Sequence, residues 1–180
     1  MTILTHGRKI QVYLMDFIYF PVKFSITGDV SLTKDNLAWS TSNWSDEFKV
    51  EYDVIVYSWY NYWANVLHVT TGQNHPRLPA VFFKRTYFNI CSHVNGNNDY
   101  CQIYNYELNT DYHFEISQNK NPSGEAIYSI KVNGETFFEI VNTNPLKFEN
   151  AKLYLSNPWY PTFGAFGKVS NLKVNADLTQ

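Results

Sequence analysis

Polar and apolar residues alternate without a break from Glu47 to Val54. Phe48, Val50, Tyr52 and Val54 fall on one side, and Glu47, Lys49, Glu51 and Asp53 on the other. A period of two belongs to a strand with one face in a core and one in water. It predicts a strand over Glu47–Tyr57. Asp111 to Ser117 repeats the pattern, with Tyr112, Phe114 and Ile116 opposed to His113, Glu115 and Ser117. Further strands are predicted at Ala64–Thr70, Pro79–Phe83, Tyr87–Cys91, Tyr100–Tyr104, Glu125–Val132, Thr136–Val141, Lys152–Leu155 and Val169–Val174. Turn-forming clusters separate them. The clearest is Asn133-Gly134 between two β runs, the pair that a type I′ hairpin requires. No stretch of ten or more residues carries a helical period. The expected fold is all-β, with antiparallel strands in a two-sheet jelly-roll sandwich.

A chain of 180 residues suits one domain that buries roughly 70% of its unfolded surface. No internal repeat, low-complexity tract or linker divides it. The expected organisation is an N-terminal segment with a first strand over 1–30 and a jelly roll over 31–180. Charged residues make up 17%, against about 25% in an average soluble protein. That excludes a disordered chain or a coiled coil. Aromatics reach 18% and Asn occurs 20 times, which favours strands joined by turns. A net charge of −2 leaves no electrostatic footprint for nucleic acid.

The two cysteines lie in neighbouring predicted strands, with Ser92 to Asp99, rich in turn residues, between them. A hairpin brings such sulfurs together, so a Cys91–Cys101 disulfide is expected. Closing so short a loop stabilises by about 3 kcal/mol on the chain-entropy account, and it points to a protein outside the reducing cytosol. Asn43-Trp44-Ser45 is a glycosylation sequon in keeping with export. Arg8 and Lys9 precede an apolar run from Ile10 to Phe20, interrupted by Asp16 and followed by no small-residue cleavage site. The run is too short to span a bilayer and reads as a first strand after an irregular N-terminus.

The order of features resembles the concanavalin A-like jelly-roll superfamily, and most of all laminin G-type domains. Phe48 to Val54 is similar to the family's long early strand. Trp63 to Thr70, then Pro79 to Phe83, are similar to its paired central strands. Tyr128 to Gly134 and the closing Gly167-Lys168-Val169-Ser170-Asn171-Leu172-Lys173-Val174 complete the series. The resemblance implies an extracellular domain that binds glycans or proteins, sometimes through calcium. A Cys91–Cys101 hairpin bridge differs from the late disulfide of laminin G domains.

Glycosidases share this jelly roll. The sandwich glucanases carry Glu-x-Asp-x-(x)-Glu on one strand face. Here Glu51-Tyr52-Asp53 supplies the first half, but Ile55, Val56 and Tyr57 stand where the second Glu belongs. Glu47, Glu51 and Asp53 therefore read as a solvated strand face. No Gly-x-Ser-x-Gly elbow or phosphate loop occurs, and His6, His68, His75, His93 and His113 are scattered without ligand spacing. Asn74-His75-Pro76-Arg77 contains the letters of a galectin sugar motif in the wrong order, so it reads as a plain loop. No catalytic residue and no cofactor are expected. Asn95, Asn97, Asn98 and Asp99 offer oxygens for calcium, but one carboxylate makes a weak site.

Two aromatic segments remain as binding candidates. Ser58-Trp59-Tyr60-Asn61-Tyr62-Trp63 places four aromatics in six positions at a strand connection, and Ser156-Asn157-Pro158-Trp159-Tyr160-Pro161 is a rigid Pro-flanked loop. Exposed rings can stack on the apolar side of a pyranose while amides bond its hydroxyls. Trp59, Tyr60, Asn61, Tyr62, Trp159 and Tyr160 are the expected ligand residues. The function expected is that of a secreted, non-enzymatic module for a glycan or an extracellular protein. The alternatives are a self-associating adhesive domain and a divergent glycosidase.

Overall fold

The computed structural model describes residues 3–5, 8–10 and 23–176. Two antiparallel sheets of six strands pack face to face, and a small two-stranded ribbon joins β1 (Ile3–Thr5) to β2 (Arg8–Ile10). The first large sheet has the order β12-β11-β10-β5-β14-β3 and the second β4-β13-β6-β7-β8-β9. The strands of the first are β3 (Phe24–Asp29), β5 (Phe48–Val56), β10 (Asp111–Lys120), β11 (Ala126–Val132), β12 (Glu135–Asn142) and β14 (Gly167–Asn175). The second contains β4 (Leu37–Trp44), β6 (Ala64–Thr70), β7 (Ala80–Lys84), β8 (Tyr87–Val94), β9 (Asn97–Asn105) and β13 (Phe148–Tyr154). Among the described residues the only helix is a 3-10 turn at Phe163–Ala165. The chain is thus an all-β two-sheet sandwich, as the period-two pattern predicts.

The alternation that marks β5 in sequence is the alternation of burial. Val50, Tyr52, Val54 and Val56 are buried, and the residues between them are half-exposed. They share one core with Phe114 and Ile116 of β10 and with Val81, Phe83, Phe88 and Ile90 of the other sheet. Phe88 and Phe114 join the two sheets edge to face at 5.4 Å, a geometry that adds to simple area burial.

β3 and β4 have no counterpart among the named strand predictions. β4 carries mostly small polar residues and lies at a sheet edge, where one partner suffices and the apolar pattern is weak. β3 pairs with β14, so residues 24–29 of the N-terminal segment belong to the sandwich. The apolar run read as a first strand from Ile10 to Phe20 lies outside the described residues beyond Ile10. Asn133-Gly134 does turn β11 into β12, with both residues at positive φ. The Ser92–Asp99 turn is tighter than expected. β8 and β9 run on until only Asn95 and Gly96 remain between them, at φ of 54° and 77°. This is a second Asn-Gly hairpin of the same chemistry.

Candidate binding site

Cys91 and Cys101 stand directly opposite each other on β8 and β9 and form the expected disulfide. They face away from the core, onto the outer surface of the second sheet. An outer face should be wet, yet every residue of β6 is buried. Loops cover it, and one of them is the Pro-flanked segment after β13.

A buried amide network fixes that segment. Asn65 sits at a register shift in β6. Its Nδ2 donates to the carbonyls of Leu67 and Val81 at 3.0 and 3.1 Å, and its Oδ1 accepts from the Asn157 N–H at 2.8 Å. The Asn157 side-chain oxygen in turn accepts the N–H groups of Trp159 and Tyr160. That fixes the amide orientation, so Asn157 Nδ2 donates to His68 Nδ1 at 2.6 Å. The proton of His68 therefore resides on Nε2. Burial, reinforced by Arg77 and His75, pushes the His68 pKa down to about 3, so the ring is neutral. Asn65, His68 and Asn157 are all fully buried.

The pinned loop lays Tyr160 against Phe82, with ring centroids 4.9 Å apart, and Trp159 against His68 and Tyr154. Trp63, at the start of β6, contacts Phe82 and Tyr87 edge to face, and Lys84 Nζ stands 5.1 Å over its ring. Trp63, Arg77, Phe82, Asn89, Asp99 and Tyr160 enclose a cleft of about 210 Å³.

Arg77 forms part of this cleft's wall. It lies in the β6–β7 connection, where buried Leu78 anchors the chain and the Arg77 carbonyl accepts from the His93 N–H at 2.8 Å. The side chain is 9% exposed. Its guanidinium lies 4.6 Å over the Phe82 ring, and Nη1 donates to the Asp99 carboxylate and to Cys91 Sγ. Its Nε is buried without a partner. Cys101 Sγ lies 3.0 Å from Asp99 Oδ1.

The residues expected to bind divide into two groups. Tyr160 lines the cleft and Trp159 packs beside it, 41% exposed. Trp59, Asn61 and Tyr62 lie exposed in the connection between β5 and β6, with Trp59 at 63% and Tyr62 at 70%. Tyr60, between them, turns inward. It stacks on Phe166 at 4.3 Å and packs against the core. Sequence reasoning passed over Arg77, Phe82 and Asn89. Phe82 and Asn89 point outward from β7 and β8, inside predicted strands that carry no binding signal, and Arg77 belongs to the Asn74–Arg77 segment that reads as a plain loop. Trp63 stands out in the sequence through the aromatic run and through the segment that resembles a central strand, neither of which marks a site.

Three of the four calcium candidates are engaged with the protein itself. Asn95 Oδ1 accepts from Thr143 N and Oγ1, Asn97 Oδ1 from the Asp99 N–H, and Asp99 pairs with Arg77. Cys91, Asp99 and Cys101 converge within metal-ligand distance, but the disulfide leaves no thiolate to bind a metal. On the opposite sheet, Glu51 and Glu115 face each other with Lys49 between them at 3.1 and 2.8 Å. Burial alone would raise the Glu115 pKa, but Lys49 and Lys131 outweigh it and hold it below the usual carboxylate range. Asp53 is held low in the same way, burial being outweighed by bonds from Asn171 and His113. Asn43, on edge strand β4, is exposed.

The fold and the cleft define a β-sandwich domain with an aromatic-lined, charge-paired depression on one outer face. No protein-family model and no curated protein matches the sequence. Solved structures do match the fold. The Trypanosoma rangeli sialidase in complex with sialic acid aligns with a TM-score of 0.53 at 12% identity, over 72% of this chain and 20% of the sialidase chain. The receptor binding domain of botulinum neurotoxin D aligns with a TM-score of 0.54 at 8% identity, over 87% of this chain and 40% of the other. This chain thus spans about a fifth of the sialidase and two fifths of the toxin chain. The likeness is one of fold.

Proposed function

We propose that this chain is a secreted, non-enzymatic binding module that recognises a glycan in the cleft of Trp63, Arg77, Phe82, Asn89, Asp99 and Tyr160. One observation carries the reading. A rigid aromatic wall and convergent polar side chains of both hydrogen-bonding senses meet in a single depression, the composition expected of a small-ligand site. The amide network through Asn65 and Asn157 holds one wall in place before any ligand arrives, which lowers the ordering cost of binding. The disulfide supports an extracellular setting. Among the fold neighbours are a sialidase holding sialic acid and a toxin's receptor binding domain, which is in keeping with a glycan or an extracellular protein as partner. The laminin G-type kinship belongs to the same proposal, and the antiparallel two-sheet arrangement supports it.

A binding rather than a hydrolytic role is favoured by the carboxylates. Most glycosidases work with one carboxyl held protonated opposite another. On the β5–β10 face, Asp53 and Glu115 are displaced downward and bonded to cations or amides. A second reading, contact with another protein through Tyr57, Trp59 and Tyr62, is favoured by the exposure of those three rings at one end of the sandwich.

A glycan array followed by alanine substitution tests the choice. Trp63→Ala and Tyr160→Ala are expected to lose glycan binding while keeping a cooperative thermal transition. Trp59→Ala and Tyr62→Ala should leave it intact. The opposite result moves the site to the end loop.

A further inference from the structure

We infer that the cleft selects an uncharged sugar, binding a pair of adjacent hydroxyls between Asp99 and Arg77, and rejects sugars that carry a carboxylate. The inference rests on the cleft being a glycan site and goes on to name the class of glycan. Its basis is the charge pairing. Arg77 contributes one positive charge and Asp99 one negative, so the lining is neutral. A cleft built to capture a carboxylate would keep other carboxylates away from its guanidinium. Here Asp99 already occupies the Nη1 edge, and an incoming carboxylate would meet a like charge at the same point. Like-charge juxtaposition of this kind discriminates against the wrong ligand.

The remaining hydrogen-bonding capacity suits a diol. Each sugar hydroxyl donates one bond and accepts others. Among the described residues, Arg77 Nη2 has no protein acceptor and Asn89 Oδ1 accepts from no protein group. The side chain of Asp99 is 43% exposed, which leaves its carboxylate reachable as an acceptor. Donors and acceptors thus alternate along one wall, while Trp63, Phe82 and Tyr160 supply the apolar one. The positions are rigid. The guanidinium is held over Phe82, and the disulfide fixes the two strands that carry Asn89 and Asp99. Removing one charged partner from such a site costs about tenfold in affinity or more.

The test is calorimetric titration of the intact, oxidised chain with neutral hexoses and N-acetylhexosamines in one arm. Glucuronic and sialic acids form the other arm, at low and high salt. Neutral sugars are expected to bind with little dependence on salt. Asp99→Asn and Asn89→Ala should each weaken them by about tenfold or more. Preference for the acidic sugars, weakening with salt and strengthening in Asp99→Asn, overturns this inference but leaves the cleft as the glycan site. Binding of neither class, or binding unaffected by Trp63→Ala, overturns the cleft itself. Asn89→Ala keeps the test decisive if Asp99→Asn unsettles the fold, because Asn89 takes no part in the ion pair.

Discussion

Arg77 and Phe82, five positions apart in sequence, meet on the outer face of the second sheet with the guanidinium 4.6 Å above the ring. The contact unites a loop residue with a residue of β7. It explains how a charged side chain survives at 9% exposure. The ring takes one face, Asp99 takes one edge, and Cys91 Sγ accepts a further N–H. Burying an arginine is tolerable only when its donors find partners or ligand. Its Nε is left without a partner and closed off from solvent.

Mass spectrometry of the unreduced protein is expected to show the Cys91–Cys101 cross-link. Reduction, or Cys91→Ser with Cys101→Ser, should cost about 3 kcal/mol in chemical denaturation. Two thiols that alkylate without reductant would contradict the structure. Because the bridge lies beside Asp99, the same variant should also weaken ligand binding.

His68 gives stability a pH dependence of definite sign. Its folded pKa is about 3, against an ordinary value of 6.5, so the unfolded chain takes up the proton first. The contribution is complete above pH 6.5 and is lost as pH falls toward 3, at up to about 1.4 kcal/mol per pH unit. His93, lowered by burial with its backbone bond opposing, acts in the same direction. Asp46, Asp53 and Glu115 are also lowered and add losses only at more acid pH. Denaturation midpoints for His68→Gln should be flatter between pH 6.5 and 4.5 than those of the parent chain. An unchanged slope would show that His68 is not the group responsible.

Tyr52 is fully buried and its hydroxyl has no partner. Burial raises its pKa, so the phenol is never ionised in the folded state. Deleting an unsatisfied hydroxyl while keeping the ring should stabilise. Tyr52→Phe is expected to gain about 1 kcal/mol in denaturant melts. The stack on Phe114 at 5.6 Å is retained.

Gly167 opens β14 against Phe163 and Ile55. A Cβ there would fall 2.2 Å from a Phe163 ring carbon and 2.4 Å from the Ile55 carbonyl oxygen. The neighbouring backbone cannot yield, so Gly167→Ala is expected to cost about 3 kcal/mol or more. A thermal midpoint equal to that of the parent would refute the packing described for this corner.

The aromatic connection separates cleanly by stability. Tyr60→Ala removes a ring stacked on Phe166 and packed on the core and should cost about 3 kcal/mol. Trp59→Ala removes a ring 63% exposed and should change stability by less than about 0.5 kcal/mol. Equal losses would place Trp59 in the core.

The local alternation of side chains determined the all-β class, most strand positions, the Asn133-Gly134 hairpin and the Cys91–Cys101 pairing. Each of these is written within one strand or between adjacent strands, where the period of two and a two-residue turn leave little freedom. Weak edge strands such as β4 escaped because one-sided pairing does not demand an apolar face. Only the tertiary structure decided which aromatics are free and which residues share a site. Tyr60 and Trp59 are neighbours in sequence with the same chemistry, yet the turn of the β5–β6 connection sends one into the core and the other into solvent. The cleft draws Trp63, Arg77, Phe82, Asn89, Asp99 and Tyr160 from six separate stretches of chain. No period in the sequence records that convergence, because it arises from strand order in the sheet and from the Asn65–Asn157 bond that folds a distant loop back over β6.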